Sequence, residues 1–282
     1  MKMKTILCAI DYSSSSLYAL KYAYEMSKRI DANIYVIHVF ESATLSSSLN
    51  DFFFLSDNEI HTNQYSKISE YCIKNIGEMD TNLNVNCEAV NDNSVLNAIN
   101  EKALSINADL IVIGMKGFHN FKDFFVGNTT KKLIEKAVFP VLAVPNEFDN
   151  YNVTNIVYAT DFKKGDLYAI KNLTEIAEKL NSTIHIVHIS VKKELKDIEQ
   201  MEWFKELLEQ EVSYNKLDFR VLFSEDILNT LHNYLEETDA TLFAMLERKK
   251  EGFIDKIIHG DLVKKFESFI NIPLISFNEN NY

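Results

Sequence analysis

Apolar residues along the chain follow two alternating rhythms. Short, nearly unbroken apolar runs occur at Thr5 to Ile10, Asn33 to Val39, Asn84 to Val90, Asp109 to Ile113 and Pro140 to Val144. Between them, Ser16 to Ile30, roughly Tyr65 to Met79, Val95 to Ser105 and Thr129 to Val138 place apolar residues at helical spacing,. The order repeats in the second half, with runs at Ile156 to Ala159, Thr183 to Ile189, Asp218 to Phe223, Leu242 to Leu246 and Pro273 to Phe277. Continuous apolar strands separated by amphipathic helices predict a parallel sheet covered on both faces. Each half then reads as a doubly wound α/β domain with a five-stranded parallel sheet flanked by helices.

The repetition extends to individual residues. Residues 5–39 align with 155–189 without a gap, and ten of the thirty-five positions are identical, among them Asp11 with Asp161 and His38 with His188. An internal duplication is the simplest source of such a match. Farther along the offset falls from 150 to 132, so the first half carries about eighteen extra residues, placed within Glu41 to Asn63, where Ser46–Ser48 and Phe52, Phe53 and Phe54 lie. The polar stretch Asn146 to Thr154 reads as a linker, which gives domains at 1–147 and 154–282,. The two halves are expected to pair about a pseudo-two-fold axis through their last strands, Val141 to Val144 and Leu274 to Phe277, shielding edges that would otherwise be sticky.

Composition narrows the function classes. A formal charge of −12 argues against a nucleic-acid or anionic-membrane surface, since phosphate backbones need a basic face,. The cysteines Cys8, Cys72 and Cys87 are widely spaced, without a Cys-x-x-Cys, and read as small buried hydrophobes,. No signal-like h-region and no apolar run of membrane-spanning length is found, so a cytoplasmic protein is expected.

Glycine is the scarce residue here, with seven in 282, yet Gly114, Gly117 and Gly127 fall within fourteen positions after the run Asp109 to Ile113. A strand, a glycine-spaced loop and a helix opening near Asn128-Thr129-Thr130 suit phosphate, because bare backbone amides and a helix N-terminus favour an anion. Three ordinary turn glycines are the bland alternative. In open parallel sheets ligands lie beyond the carboxyl ends of the strands, here Ala9-Ile10-Asp11-Tyr12, Ile37-His38-Val39 and Gly114-Met115-Lys116-Gly117. Asp11 suits a ribose, or an N-cap or Asx-turn role for the following helix; both can hold at once. His38 and His188 point to a structural role repeated in both halves, and Val39 to recognition of a base through its backbone. No P-loop, Gly-x-Gly-x-x-Gly, nucleophile elbow or His-Glu-x-x-His motif is present, so no general base can be named.

Gly114-x-x-Gly117, nine residues and then Gly127 resemble the nucleotide-binding signature of the universal stress protein family. The resemblance includes Lys4 to Asp11, Val36 to Val39, Ala108 to Gly114 and Phe139 to Val144, and extends over both halves as a tandem form. It implies an adenine nucleotide alpha hydrolase-like, Rossmann-like domain that binds ATP or another adenine nucleotide, with or without Mg, dimerises through its last strand and serves stress survival or signalling. Carried over by position, Ala9 and Asp11 face ribose and adenine, and Val39 holds the base. Gly114, Met115 and Gly117 line ribose and phosphates, and Gly127, Asn128 and Thr129 bind phosphate. The family has Ser or Thr after the third glycine, where this chain has Asn128. The second half lacks counterparts of Gly114 and Gly117, reading Leu246-Glu247-Arg248-Lys249-Lys250-Glu251, and places Asp261 after Gly260. It is expected to be degenerate for nucleotide, with Asp161 reduced to a cap and the scaffold tolerant of the missing glycines. The implied function is a non-catalytic or weakly hydrolytic nucleotide-binding module; a nucleotide-free scaffold and a nucleotide hydrolase are the alternatives.

Overall fold

The computed structural model describes residues 4–41, 57–77, 85–115, 128–191, 195–248 and 271–279. The first half runs β1 (Thr5–Ile10), α1 (Ser14–Ile30), β2 (Asn33–Phe40), α2 (Asp57–Ile76), β3 (Val85–Asn91), α3 (Val95–Ser105), β4 (Leu110–Met115), α4 (Asn128–Lys136) and β5 (Val141–Pro145). The second half follows as β6 (Asn155–Ala159), α5 (Lys164–Leu180), β7 (Thr183–Ser190), α6 (Leu195–Glu211), β8 (Leu217–Phe223), α7 (Ile227–Glu237), β9 (Leu242–Glu247) and β10 (Leu274–Asn278).

The strands form one sheet in the order β3-β2-β1-β4-β5-β10-β9-β6-β7-β8, which reads alike from either end. All neighbours within a half are parallel, while β5 and β10 meet antiparallel at the centre, with Leu142 opposite Ile275. The registers of the halves agree: Thr5 faces Asn33 as Asn155 faces Thr183, and Ile6 faces Leu110 as Ile156 faces Leu242. The architecture is α/β and doubly wound in each half.

Alternation along the strands builds two cores. Ile6, Cys8 and Ile10 face one side of the sheet with Val112, Ile156, Tyr158 and Ile275, whereas Leu7 faces the other with Ile111, Ile113, Val157, Phe243 and Leu274. A period of two on a sheet covered on both faces accounts for the unbroken apolar runs of the inner strands, such as Leu110–Ile113 and Val141–Val144,. Both cores draw residues from both halves, so packing as well as hydrogen bonding crosses the β5–β10 seam.

One expectation needs correction. Helix α2 begins at Asp57 rather than near Tyr65, so part of the extra sequence belongs to the helix; its polar opening hid the helical period. Phe52, Phe53 and Phe54 lie outside the described residues. The stretch 146–154, read as a linker, packs on both halves: Phe148 and Tyr151 lie 6.0 and 6.1 Å from Tyr22, and Ser182 donates to the Val153 carbonyl at 2.6 Å. Among the described residues no helix is long and apolar enough to cross a membrane.

Candidate functional site

In the first half, β1 lies between β2 and β4. Helix α1, which follows β1, packs on one face of the sheet and α3, which precedes β4, on the other, and the carboxyl ends of these strands open a crevice there,. A cavity of about 200 Å³ occupies it, lined by Ala9, Ile10 and Asp11 from the end of β1, Val39 from β2, Ile113 and Gly114 from β4, and the opening turns of α1 and α4. The volume is below the roughly 300–1,000 Å³ of most small-molecule pockets, so an occupant of nucleotide size extends past these walls.

Of the residues named from sequence, Ala9, Asp11, Val39, Gly114 and Thr129 line this cavity together. Met115 does not: its side chain is buried in the core on the opposite side of its strand from Gly114. Gly117 and Gly127 lie outside the described residues, as do Lys116 and the Asn128 side chain. Backbone position alone places Asn128 at the first residue of α4.

The β1 end is fixed by a short run of polar contacts. Asp11 accepts from the Ser13 amide at 3.0 Å and from the Ser13 hydroxyl, an Asx-turn, while its own amide donates to the Ser16 hydroxyl at 3.3 Å,. Partial burial raises the Asp11 pKa, but the Ser13 and Ser16 hydrogen bonds outweigh it and hold the carboxyl below its ordinary value. The N-cap of α1 is Ser13, whose hydroxyl accepts from the Ser16 amide. Asp11 therefore holds the cap rather than being it. Between them Tyr12 takes a left-handed conformation, φ 62°, and its ring lies 4.4 Å from that of His38.

His38 has the structural task expected of it. Its Nδ1 donates to the Ile10 carbonyl at 2.9 Å, and His188 makes the same bond to Thr160 at 2.7 Å. Phe162 repeats Tyr12, with φ 52° and its ring 5.1 Å from that of His188.

Gly114 has a packing reason as well as a place in the cavity. A Cβ there would stand 2.5 Å from the Ser15 carbonyl carbon and oxygen and 2.6 Å from the Ser16 nitrogen, all backbone. The opening turn of α1 rests directly on β4, which only glycine allows. Thr130 secures the other side, donating to the Gly114 carbonyl at 3.2 Å.

The second half shows how a site of this kind is closed. Leu246 stands at the place of Gly114 and is buried. The glycine has moved across the contact: Gly165 replaces Ser15, and a Cβ there would meet Leu246 Cδ2 at 2.9 Å. The scaffold does not simply tolerate loss of the strand glycine; it compensates. Beyond Leu246, Arg248 turns inward and is 5% exposed, its guanidinium 2.8 Å from Asp166 and 3.6 Å from Asp161, with Glu279 at 3.7 Å. Asp161 and Asp166 are the counterparts of Asp11 and Ser16. Burial disfavours the Arg248 charge, but Asp166 and Asp161 override it and raise its pKa. Asp166 also accepts from the Tyr158 hydroxyl at 2.8 Å and from the Lys163 amide at 3.0 Å, so the N-cap of α5 is Lys163, and Asp161 is an ion-pair partner instead of a cap. Sequence reading missed Arg248 and Asp166; the signal was their joint appearance where the first half has Lys116 and Ser16. Gly260 and Asp261 lie outside the described residues.

The sequence profile of the Universal stress protein family matches residues 2–145, just over half of the chain. The chain belongs to the universal stress protein family. A protein of Staphylococcus saprophyticus named as a universal stress protein is 31% identical over 151 residues, covering 51% of this chain and 84% of that relative. Among solved structures, a universal stress protein from Archaeoglobus fulgidus superposes over 99% of this chain and 100% of its own, with a TM-score of 0.74 at 17% identity. The cytoplasmic domain of a prokaryotic cation chloride cotransporter also matches, over 100% of this chain and 98% of its own, with a TM-score of 0.57 at 10% identity. Likeness at such low identity shows the fold alone, and function must be argued from the site.

Proposed function

We propose that the first half of this universal stress protein binds an adenine nucleotide, ATP or a close relative, and that the chain acts in the stress response as a binding module, non-catalytic or only weakly hydrolytic. The observation that carries this reading is the meeting of Asp11, Val39, Gly114 and Thr129 in one cavity at the strand ends. Asp11, held as a carboxylate by Ser13, is suited to accept from ribose hydroxyls. The edge of β2 at Val39 offers main-chain groups to a base. The start of α4 offers free amides and the positive end of a helix dipole to phosphates, with or without a Mg ion carried on them.

In this reading residues 1–147 and 154–282 are two domains of one family, and the second has exchanged its ligand for Arg248. The antiparallel β5–β10 contact supports a partnership of two unlike halves, with β5 flanked on both sides by strands of its own chain. Titration calorimetry of the purified protein with ATP, ADP and AMP tests the reading, with mass spectrometry of denatured protein for a retained nucleotide. Saturable binding of at least one supports it; no binding at millimolar concentration together with no retained nucleotide removes it. The Gly114–Ser15 packing favours a second reading, a scaffold without nucleotide, because it gives Gly114 a reason to exist that needs no ligand. Under that reading Asp11→Ala leaves cellular function intact.

A further inference from the structure

The three cysteines, remote in sequence, come together on one face of the first half. Cys8 on β1, Cys72 on α2 and Cys87 on β3 belong to the same core, all as free thiols, with Cys8 and Cys72 buried and Cys87 partly exposed. Helix α2, which carries Cys72, packs on β3, which carries Cys87. Strand register separates the third thiol: Cys8 faces Val36 and Val36 faces Cys87, so Cys8 and Cys87 stand two strands apart. Two strand spacings are about 10 Å, beyond the roughly 7 Å between Cα atoms that a disulfide spans. Among the described residues no group of three His, Cys, Asp or Glu side chains is placed to hold a metal, so the cluster is not a zinc site.

The second half provides an internal comparison. In the same row Tyr158 faces Ile186 and Ile186 faces Phe219, and Phe204 of α6 stands where Cys72 does. Tyr158, Phe204 and Phe219 pack there as aromatic rings. The fold accepts plain bulk at all three positions, and the first half has thiols at each.

We infer that Cys72 and Cys87 form a reversible redox pair that closes to a disulfide under peroxide and ties α2 to β3, the edge strand of the sheet. The neighbouring Cys72 thiol lowers the Cys87 pKa against the cost of burial, while Cys87 and burial together raise that of Cys72. The Cys87 thiolate attacks the peroxide; its O–O bond breaks, the sulfur is oxidised to sulfenic acid, and the peroxide leaves as water or an alcohol after taking a proton. Cys72 sulfur then attacks the Cys87 sulfenic sulfur. An S–S bond forms, the S–O bond breaks, and the Cys72 proton leaves with the hydroxyl as water. A thiol reductant returns both groups. Such transient bridges are the usual form of disulfide under reducing conditions.

The test treats the full chain with a few equivalents of hydrogen peroxide, then denatures it and titrates free thiols, with peptide mass spectrometry alongside. The expected result is a fall from three thiols to one, a Cys72–Cys87 linked peptide pair two hydrogens lighter, and full recovery with reductant. Cys8→Ser should give the same linked pair and no remaining thiol, while Cys87→Ser should give no link. The proposal is overturned by an unchanged titre, by sulfinic or sulfonic acid at Cys87 without a link, or by a link that includes Cys8 or joins two chains. Loss of the link in Cys8→Ser protein that still folds, judged by circular dichroism, also overturns it.

Discussion

Gly114 of β4 lies against the backbone of Ser15, close enough that a single added carbon would fall 2.5 Å from the Ser15 carbonyl. Backbone cannot rotate away as a side chain can, so Gly114→Ala must push α1 from the sheet. Overpacking of this kind costs about 1–3 kcal/mol. The mirror substitution Gly165→Ala meets only the tip of Leu246, which can change rotamer. Urea unfolding of the two variants should show Gly114→Ala as the more destabilised. A larger loss for Gly165→Ala would contradict the structure.

Arg248 and Asp166 are both buried and face each other at 2.8 Å. Arg248→Met strands the Asp166 carboxylate without its counter-ion, and breaking a buried pair from one side costs about 3–5 kcal/mol. Adding Asp166→Ser, the residue of the first half, removes the stranded charge. The double variant should therefore be more stable than Arg248→Met alone, although it carries one more change. Chemical denaturation of wild type, both single variants and the double variant closes the cycle; additive costs would show that the two side chains do not interact.

Much of this architecture was legible because apolar periodicity and register obey local rules. Strand β1 and helix α3 were predicted with the bounds that the structure shows, Thr5–Ile10 and Val95–Ser105. The registers of the two halves agree, as an internal duplication requires. The cavity was legible at Asp11, Val39 and Gly114, since strand ends in a parallel sheet converge by topology. What escaped notice depended on approach between elements distant in sequence. The Gly114–Ser15 contact, the inward turn of Arg248 and the meeting of Cys72 with Cys87 leave no spacing signature.

Asp11 carries a pH and ligand prediction. Because its folded pKa lies below the ordinary 3.8, its hydrogen bonds to Ser13 stabilise the fold fully above that value and are lost as pH falls through the lower, folded value,. Carboxyl-detected NMR should place the Asp11 midpoint below 3.8; a midpoint at or above it contradicts the Asx-turn. Under the proposed function Asp11→Ala also removes a charged acceptor from the nucleotide, worth about 1.5–3 kcal/mol or roughly 10- to 100-fold in affinity. Asp161→Ala, on the half closed by Arg248, should leave ATP affinity unchanged. Calorimetry on the two variants separates them.

The buried Asn278 joins the halves through the helix that opens on the cavity. It extends from β10, and its Nδ2 donates to the Glu135 carbonyl at 2.7 Å, in the last turn of α4. Carbonyls there have no partner within the helix, so this amide supplies one from the other half. The same helix brings Thr129 and Thr130 to the cavity at its opposite end. Asn278→Ala removes the donor and leaves the part-buried Glu135 carbonyl without it, at a cost of about 1–3 kcal/mol at most,. If α4 is held in place from this end, amide hydrogen exchange should quicken along the whole helix, and ATP affinity should fall although Asn278 touches no part of the cavity. Faster exchange confined to the last turn, with affinity unchanged, would mean that Asn278 fastens the seam without positioning the site.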